Sequence, residues 1–267
     1  MKIKNENKLL FSIFIIFILI ISCDNNNVNN HVIQPEDTSK IKTMPLKWTS
    51  GIGRYAYENL TGNLSLYAIK ILDWPNREYQ IQIIAGLKGR HGGSMILGGV
   101  PIKRDGNYYT WGLKKYDSND STIPKYGNEG EWSLSGNDSI NFDGFKTMFY
   151  IPKLIELESN NLGYYQYLSV SDDVNIKWVP DRANNKGMWI WVHYNYGDTD
   201  YSNDYFFYDS TADDGFYQLK LNKLDIPSKG IIEISLFRYN ELFLKIGNEY
   251  IALRVEIEYQ CFNQLQE

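Results

Sequence analysis

Aromatic and acidic side chains are concentrated in residues 188–214 of this sequence, and these residue types could bind a ligand. Flat aromatic faces stack on sugar rings and carboxylates fix hydroxyl groups, so a glycan-binding surface would use this combination. The candidate ligand-binding residues of this segment are Trp189, Trp191, Tyr194, Tyr196, Tyr201 and Tyr205.

The same segment is also compatible with core packing and with calcium binding. Trp189 and Trp191 share one face of a predicted strand, and they belong to the core if that face points inward. Oxygen-rich loops can hold calcium, although residues 198–203 lack the glycine that calcium loops use. Core packing, glycan contact and calcium binding are therefore three competing interpretations of these residues.

The motifs of known catalytic sites are incomplete in this chain. Residues 51–56 match the outline of a dinucleotide loop but lack the flanking strand and helix, so a tight loop is preferred. Ser94 follows His91, but a nucleophile elbow would need glycine where Ile96 stands. His91 and His193 are too few for a zinc site. We predict no catalytic residue, no metal site and no cofactor, and hence a protein that is not an enzyme.

One enzymatic alternative survives, because glycosidases use two carboxyl groups whose separation in space cannot be inferred from a sequence. A polysaccharide-processing hydrolase could assemble such a pair from distant strands. Two carboxyl groups about 5 to 10 Å apart in a cleft would support it.

The elements that position these side chains are predicted to be β-strands. Aromatic residues make up 15% of the chain, which favours pleated, half-buried surfaces. Short alternating segments are separated by Gly, Asn, Asp and Pro, and no long segment has helical spacing of apolar residues. The predicted strands cover residues 64–72, 79–85, 108–113, 131–134, 139–142, 145–151, 174–179, 188–196, 216–221, 231–239, 243–246 and 249–259.

Local patterns also predict how some strands pair and face. The turn-rich loop 180–187 predicts a hairpin between 174–179 and 188–196. In the last strand, alternation predicts one face in the core and the other in water. The core set is Leu253, Val255, Ile257 and Tyr259, and the water set is Arg254, Glu256 and Glu258.

This strand spacing indicates an all-β protein made of two immunoglobulin-like β-sandwich domains. The domains cover residues 46–151 and 152–262, with a boundary near Pro152 and a tail at 263–267. A single larger sandwich is the alternative, because the linker at Pro152 is short and not flexible in composition.

The N-terminal segment has the pattern of a secretory signal. Lysines precede an apolar run at residues 9–21, which is shorter than the roughly 20 residues that cross a bilayer. The run ends in Ile20, Ile21, Ser22 and Cys23, which resembles a bacterial lipobox. The resemblance implies that residues 1–22 are cleaved off, that a diacylglyceryl group is attached to the Cys23 sulfur, and that the new amine is acylated by palmitate or a similar chain. A plain signal peptide followed by chance by Cys is the alternative.

The polar residues 23–45 are predicted to be a flexible tether between lipid and folded body. Cys23 and Cys261 are the two cysteines of the chain, and we expect Cys261 to be a small buried hydrophobe. A net charge of −5 without a basic run argues against a nucleic-acid partner. The lipid is then the membrane contact.

A family resemblance rests on several short motifs. These are residues 176–181, Gly187 before an aliphatic and aromatic strand, residues 213–217, residues 234–240, and Trp132 to Asn137 followed by Phe142 and residues 150–152. They resemble the immunoglobulin-like modules of uncharacterised Bacteroidota cell-envelope lipoproteins, over the whole chain after the signal. The resemblance implies a fold and a location, the cell envelope and the outer membrane, and no reaction. The periplasmic face and the cell surface both stay open.

Three tripeptides resemble the O-glycosylation site of Bacteroidota envelope proteins. Their acceptors are Ser121, Ser139 and Ser210, each preceded by Asp and placed in a predicted loop or turn. We therefore expect a lipid-anchored envelope protein that acts as a binding or structural module, with a glycan or an envelope protein as its partner.

Overall fold

The computed structural model describes residues 62–71, 78–87, 93–105, 108–137, 143–158, 162, 166–195 and 205–266. The fold class is all-β, as predicted, with one 3-10 turn at Leu221–Lys223 and no α-helix among the described residues. In these ranges no helix is long and apolar enough to cross a membrane. The strands are β1 Gly62–Ile71, β2 Gln80–Leu87, β3 Met95–Leu97, β4 Val100–Ile102, β5 Arg104–Asp105, β6 Tyr108–Lys115, β7 Asn128–Leu134, β8 Phe145–Ile151, β9 Gln166–Ser169, β10 Asp173–Lys177, β11 Met188–Asn195, β12 Tyr205–Thr211, β13 Phe216–Lys220, β14 Gly230–Ile246 and β15 Glu249–Gln266.

The strands form three sheets. The largest has nine strands in the order β12, β11, β14, β15, β1, β2, β6 and β5, with β9 also pairing with β15. β1 and β9 run parallel to β15, whereas the other neighbours are antiparallel. A four-stranded sheet, β4-β3-β7-β8, and a two-stranded sheet, β10-β13, complete the fold. Several sheets around one core are consistent with a β-sandwich.

One continuous hydrophobic core joins the three sheets. The predicted inward face of β15 is confirmed, since Leu253, Val255, Ile257 and Tyr259 are all buried. In the predicted strand 79–85, the alternate residues Tyr79, Ile81, Ile83 and Ala85 are also buried. The period-2 pattern thus located the core side of the two strands correctly.

Strands from both sides of Pro152 lie in the nine-stranded sheet. β1, β2, β5 and β6 precede Pro152, whereas β9, β11, β12, β14 and β15 follow it, and β1 pairs with β15 over ten residue pairs from Gly62↔Ile251 to Ile71↔Gln260. The boundary at Pro152 therefore does not separate two sheets. This continuity favours the single larger sandwich, and the number of domains stays a prediction.

The predicted hairpin between residues 174–179 and 188–196 is wrong. β10 pairs with β13, and β11 pairs with β12 and β14. The loop between β10 and β11 does turn, with the Asn184 amide donating to the Asp181 carbonyl at 2.9 Å. Local turn chemistry placed the loop, but longer-range pairing of both strands prevented a hairpin across it.

β14 and β15 form a C-terminal hairpin, because they flank Gly247 and Asn248 and pair from Gly230↔Leu265 to Ile246↔Glu249. The two predicted strands 231–239 and 243–246 form one continuous strand, β14. Residues 263–266, predicted to be a tail, belong to β15, where all four pair with β9 and residues 263–265 pair with β14 as well. β15 thus becomes the central strand of the sheet.

The predicted water-facing side of β15 is wrong for Arg254 and Glu256, which are buried. Arg254 forms an ion pair with Glu241 on β14, directly across the ladder. Ser65 on β1, opposite Arg254, is buried as well. On an edge strand, a charged residue predicts a solvent-exposed face. On a central strand, the same residue can be buried when a neighbouring strand supplies the opposite charge.

Candidate functional site

Strand β11 places its alternate side chains on opposite faces of the nine-stranded sheet. Met188, Ile190 and Val192 are fully buried in the core. Trp189, Trp191 and His193 therefore lie on the opposite, outward face, where they are half-buried. The interpretation that the two tryptophans are inward core residues is thus wrong.

The register with β12 brings further rings to the same face. His193 lies opposite Phe206, and Trp191 lies opposite Tyr208. Phe237 on β14 lies opposite Trp189 on the other side of β11. We refer to these six side chains, of which Phe237 is itself buried, as the aromatic surface: Trp189, Trp191, His193, Phe206, Tyr208 and Phe237.

The rings of the aromatic surface support one another. The His193 and Phe206 centroids are 4.6 Å apart with their planes 5° from parallel, and Trp191 lies 6.0 Å from Phe206 at 18°. Trp189 lies 6.5 Å from Tyr208, and the Phe237 ring meets Trp191 edge-on at 6.5 Å. Such contacts hold each ring in place, so the surface is ordered before any ligand arrives.

Two rings of the aromatic surface are open to solvent. Phe206 is 48% exposed and Tyr208 is 61% exposed. Exposed aromatic side chains grouped on half-buried ones are unusual on a soluble protein surface, where they mark sites of interaction.

Carboxylates border the aromatic surface on its β14 side. Glu233 lies opposite His193, with 3.4 Å between His193 Nδ1 and Glu233 Oε2. The Gln260 amide also donates to Glu233 Oε1. Within the described ranges, no Lys or Arg forms an ion pair with Glu233 or Glu258. This side of the surface is thus acidic.

Ser235 links two of these carboxyl groups. Its hydroxyl lies 3.2 Å from Glu233 Oε1 and 3.3 Å from Glu258 Oε1. Burial, together with the nearby charges of Glu256 and Glu233, raises the pKa of Glu258 to about 8. At neutral pH Glu258 is therefore mostly protonated, and it can donate a hydrogen bond to Ser235 while Ser235 donates to Glu233.

The described residues offer no metal site, because no three of their His, Cys, Asp or Glu side chains are grouped to hold an ion. Asp213, one of the carboxylates between residues 188 and 214, is instead bonded to Arg238. Residues 198–203, the proposed calcium loop, lie outside the described residues, as do His91 and the 51–56 loop.

The remaining aromatic candidates divide into two groups. Tyr194 is buried and its hydroxyl donates to the Lys229 carbonyl, so its assignment to a ligand surface is wrong. Tyr205 packs against the core from β12. Tyr196 and Tyr201 lie outside the described residues. Phe206, Tyr208 and Phe237 were missing from the predicted site, and only the strand register could have added them.

The motif residues of the family resemblance meet in a buried polar network. Asp213 accepts hydrogen bonds from Trp178 Nε1 at 2.8 Å, from Asn184 Nδ2 at 3.1 Å and from Arg238 Nη2 at 2.8 Å. Asp181 accepts from the Tyr150 hydroxyl at 2.8 Å. These residues hold three loops onto β14, so their role is structural.

Cysteine and serine candidates outside the aromatic surface are placed as follows. Cys261 is buried and free, and burial raises its pKa to about 12, which keeps it a thiol as expected. Ser121 and Ser210 are exposed, whereas Ser139 and the lipidation candidate Cys23 lie outside the described residues.

No protein-family model matches the chain, and no curated protein is significantly similar to it.

Proposed function

We propose that this protein is a lipid-anchored protein of the bacterial cell envelope that binds a glycan without processing it. The aromatic surface is the binding site, and Cys23 carries the lipid. The observation that carries the proposal is the exposure of Phe206 and Tyr208 beside rings that are already stacked in place.

The chemistry of this surface suits a sugar better than a charged polymer. Sugar rings present C–H groups to aromatic faces and hydroxyl groups to carboxylates at the margin. Glu233 supplies a carboxylate beside the rings on the β14 side. The described outward positions on β11 and β12 carry no Lys or Arg that would attract a polyanion.

The lipid anchor supports the proposal from the sequence. An acylated Cys23 followed by a polar tether would hold the folded body near a membrane surface, where envelope polysaccharides are concentrated. A tethered domain gains effective concentration for such a ligand, so even a weak site would be occupied.

The proposal is tested by retention of the protein on immobilised polysaccharides and on a glycan array. Tyr208→Ala and Phe206→Ala should lower retention severalfold while the thermal unfolding midpoint stays close to that of the wild type. The matched control is Tyr167→Ala, since Tyr167 is 62% exposed on β9 and lies outside the aromatic surface. Equal loss with Tyr167→Ala, or no retention of the wild type on any glycan, contradicts the proposal.

A polysaccharide hydrolase is the second candidate, and the pairing of Glu233 with Glu258 through Ser235 favours it. Glycoside hydrolysis uses two carboxyl groups, one of which acts as the acid, and burial favours the protonated form of Glu258 by raising its pKa. Glu233 is only 9% exposed, however, which is not the open cleft that a substrate requires. Release of reducing ends by the wild type but not by Glu258→Gln would favour this candidate over simple binding.

A further inference from the structure

Strand β12 is the last strand on one side of the nine-stranded sheet, and no described strand pairs with its outer side. Native edge strands are usually protected by Lys, Pro or a bulge. β12 has none of these, and Asp209 is its single charged residue. The edge is therefore suited to accept another strand.

The residues of β12 whose N–H and C=O groups are available to another strand are those that point these groups away from β11. The Ser210 amide donates to the carboxylate of Asp209 at 2.8 Å, so it is not engaged in the ladder with β11 and points away from that strand. In an antiparallel strand, alternate residues direct both N–H and C=O to the same side. Phe206 and Tyr208 therefore also point their backbone groups outward, and among the described residues no backbone group pairs with them there.

We propose that a second copy of this chain pairs with β12 in antiparallel orientation, giving a symmetric dimer with one continuous sheet. The proposal concerns the edge of the sheet and does not depend on glycan binding. A second copy fits because the same two residues present donors and acceptors that are reciprocally matched.

The hydrogen-bonding pattern selects one register. With Phe207 on the twofold axis, Phe206 lies opposite Tyr208 of the partner subunit, and four backbone hydrogen bonds form between the two residue pairs. A register centred on Tyr208 would instead use the Ser210 amide, which Asp209 already occupies. The chosen register also keeps the two Asp209 carboxylates apart, since each lies opposite a tyrosine, Tyr205 of the partner subunit.

The dimer would join the two aromatic surfaces. In this register the exposed Phe206 ring lies beside Tyr208 of the partner subunit on the outward face, and aromatic cross-strand pairs stabilise antiparallel strands. The joined surface would extend across both copies without covering its outward side.

The experiment is analytical ultracentrifugation of the full chain carrying Cys23→Ala, from low micromolar to near-millimolar concentration. The protein with an unaltered β12 should show a monomer–dimer equilibrium. Tyr208→Pro removes an outward N–H without removing a bond to β11, so it should be folded and monomeric. Tyr208→Ala, which keeps that N–H, should dimerise more weakly than the wild type but more strongly than Tyr208→Pro.

Amide hydrogen exchange distinguishes a dimer formed by backbone pairing of β12 from a dimer formed through another surface. The amides of Phe206 and Tyr208 should become protected as the concentration rises, whereas the Phe207 amide, which points to β11, should be protected throughout. A wild-type chain that is monomeric at every concentration overturns the proposal. So does a dimer in which the exchange of Phe206 and Tyr208 is independent of concentration.

Discussion

Arg238 and Asp213 form a fully buried ion pair with 2.7 Å between Arg238 Nε and Asp213 Oδ2. Arg238 also donates to the backbone carbonyls of Lys153 and Val179, at 2.8 and 2.9 Å. One side chain of β14 therefore fixes two loops that are distant in sequence. A buried charge of this kind is tolerated because the guanidinium and the carboxylate each have several hydrogen-bond partners.

Removing one member of this pair should be strongly destabilising. We expect Asp213→Ala to lower the free energy of unfolding by about 3 to 5 kcal/mol, because Arg238 would stay buried without its counter-charge. The matched control is Asp214→Ala, since Asp214 is exposed and accepts one backbone hydrogen bond from Phe216. Urea unfolding measures both variants, and equal losses would contradict a special role of the buried pair.

Glu258 should make stability depend on pH. Its folded-state pKa of about 8 lies above the unfolded value of 4.5, so the folded state binds the proton more tightly. Stability should therefore fall as the pH rises from 4.5 towards 8, by at most about 1.4 kcal/mol per pH unit, and then level off.

The Glu258→Gln variant tests this pH dependence, because glutamine stays neutral and keeps a similar shape. In urea titrations, the unfolding free energy of the wild type should fall between pH 5 and pH 8. That of Glu258→Gln should fall much less over the same range. The exposed Glu129 on β7 provides the control variant Glu129→Gln, which should keep the wild-type slope. Parallel curves for wild type and Glu258→Gln would count against the assignment.

Substitutions at two adjacent glycines distinguish the cost of backbone strain from the cost of overpacking. Gly98 and Gly99 both have positive φ, at 60° and 82°. A Cβ on Gly98 would lie 2.8 Å from side-chain atoms of Ile151 and Pro124, whereas a Cβ on Gly99 would meet nothing within 4 Å. Gly99→Ala should cost about 1 to 2 kcal/mol from the left-handed backbone alone.

Gly98→Ala should cost about 1 to 3 kcal/mol more than Gly99→Ala, because overpacking is added to the same backbone strain. Thermal or urea unfolding of the two variants under one set of conditions gives the difference directly. If both variants lose the same stability, the packing of Gly98 against Pro124 is not tight.

The lipid anchor is tested in cells with radioactive palmitate. The wild type should be labelled and recovered with membranes, whereas Cys23→Ala should be unlabelled, because the sulfur that accepts the lipid is gone. Cys261→Ala is the control, since Cys261 is buried and should not be acylated. If Cys23→Ala is labelled as strongly as the wild type, lipid attachment at Cys23 is contradicted.

Local patterns predicted most of the strands, although not β3, β4, β5, β9 or β12, and they predicted pairings poorly. Alternation in 249–259 located β15 and its core face, because a strand's period is a property of the strand itself. The hairpin between β10 and β11 failed, since pairing depends on which other strands compete for the same edge. Likewise, the predicted exposure of Arg254 and Glu256 failed because burial depends on the neighbours of a strand in its sheet.

The candidate site shows the same division. The richness of residues 188–214 in aromatic side chains is visible in the sequence, and it predicted Trp189 and Trp191 as candidate site residues. Which rings share a surface is set by the register of β11 with β12 and β14, which excluded Tyr194 and added Phe206, Tyr208 and Phe237.

The sequence by itself determined the all-β class, the core-facing positions of the long strands and the lipobox-like N-terminal motif. These follow from residue type and short-range spacing, which need no knowledge of partners. Only the tertiary structure decided the strand order, the buried Arg238–Asp213 pair, and the face on which the aromatic rings meet. Each of these depends on contacts between residues far apart in the chain, whose energies arise only after the sheet has formed.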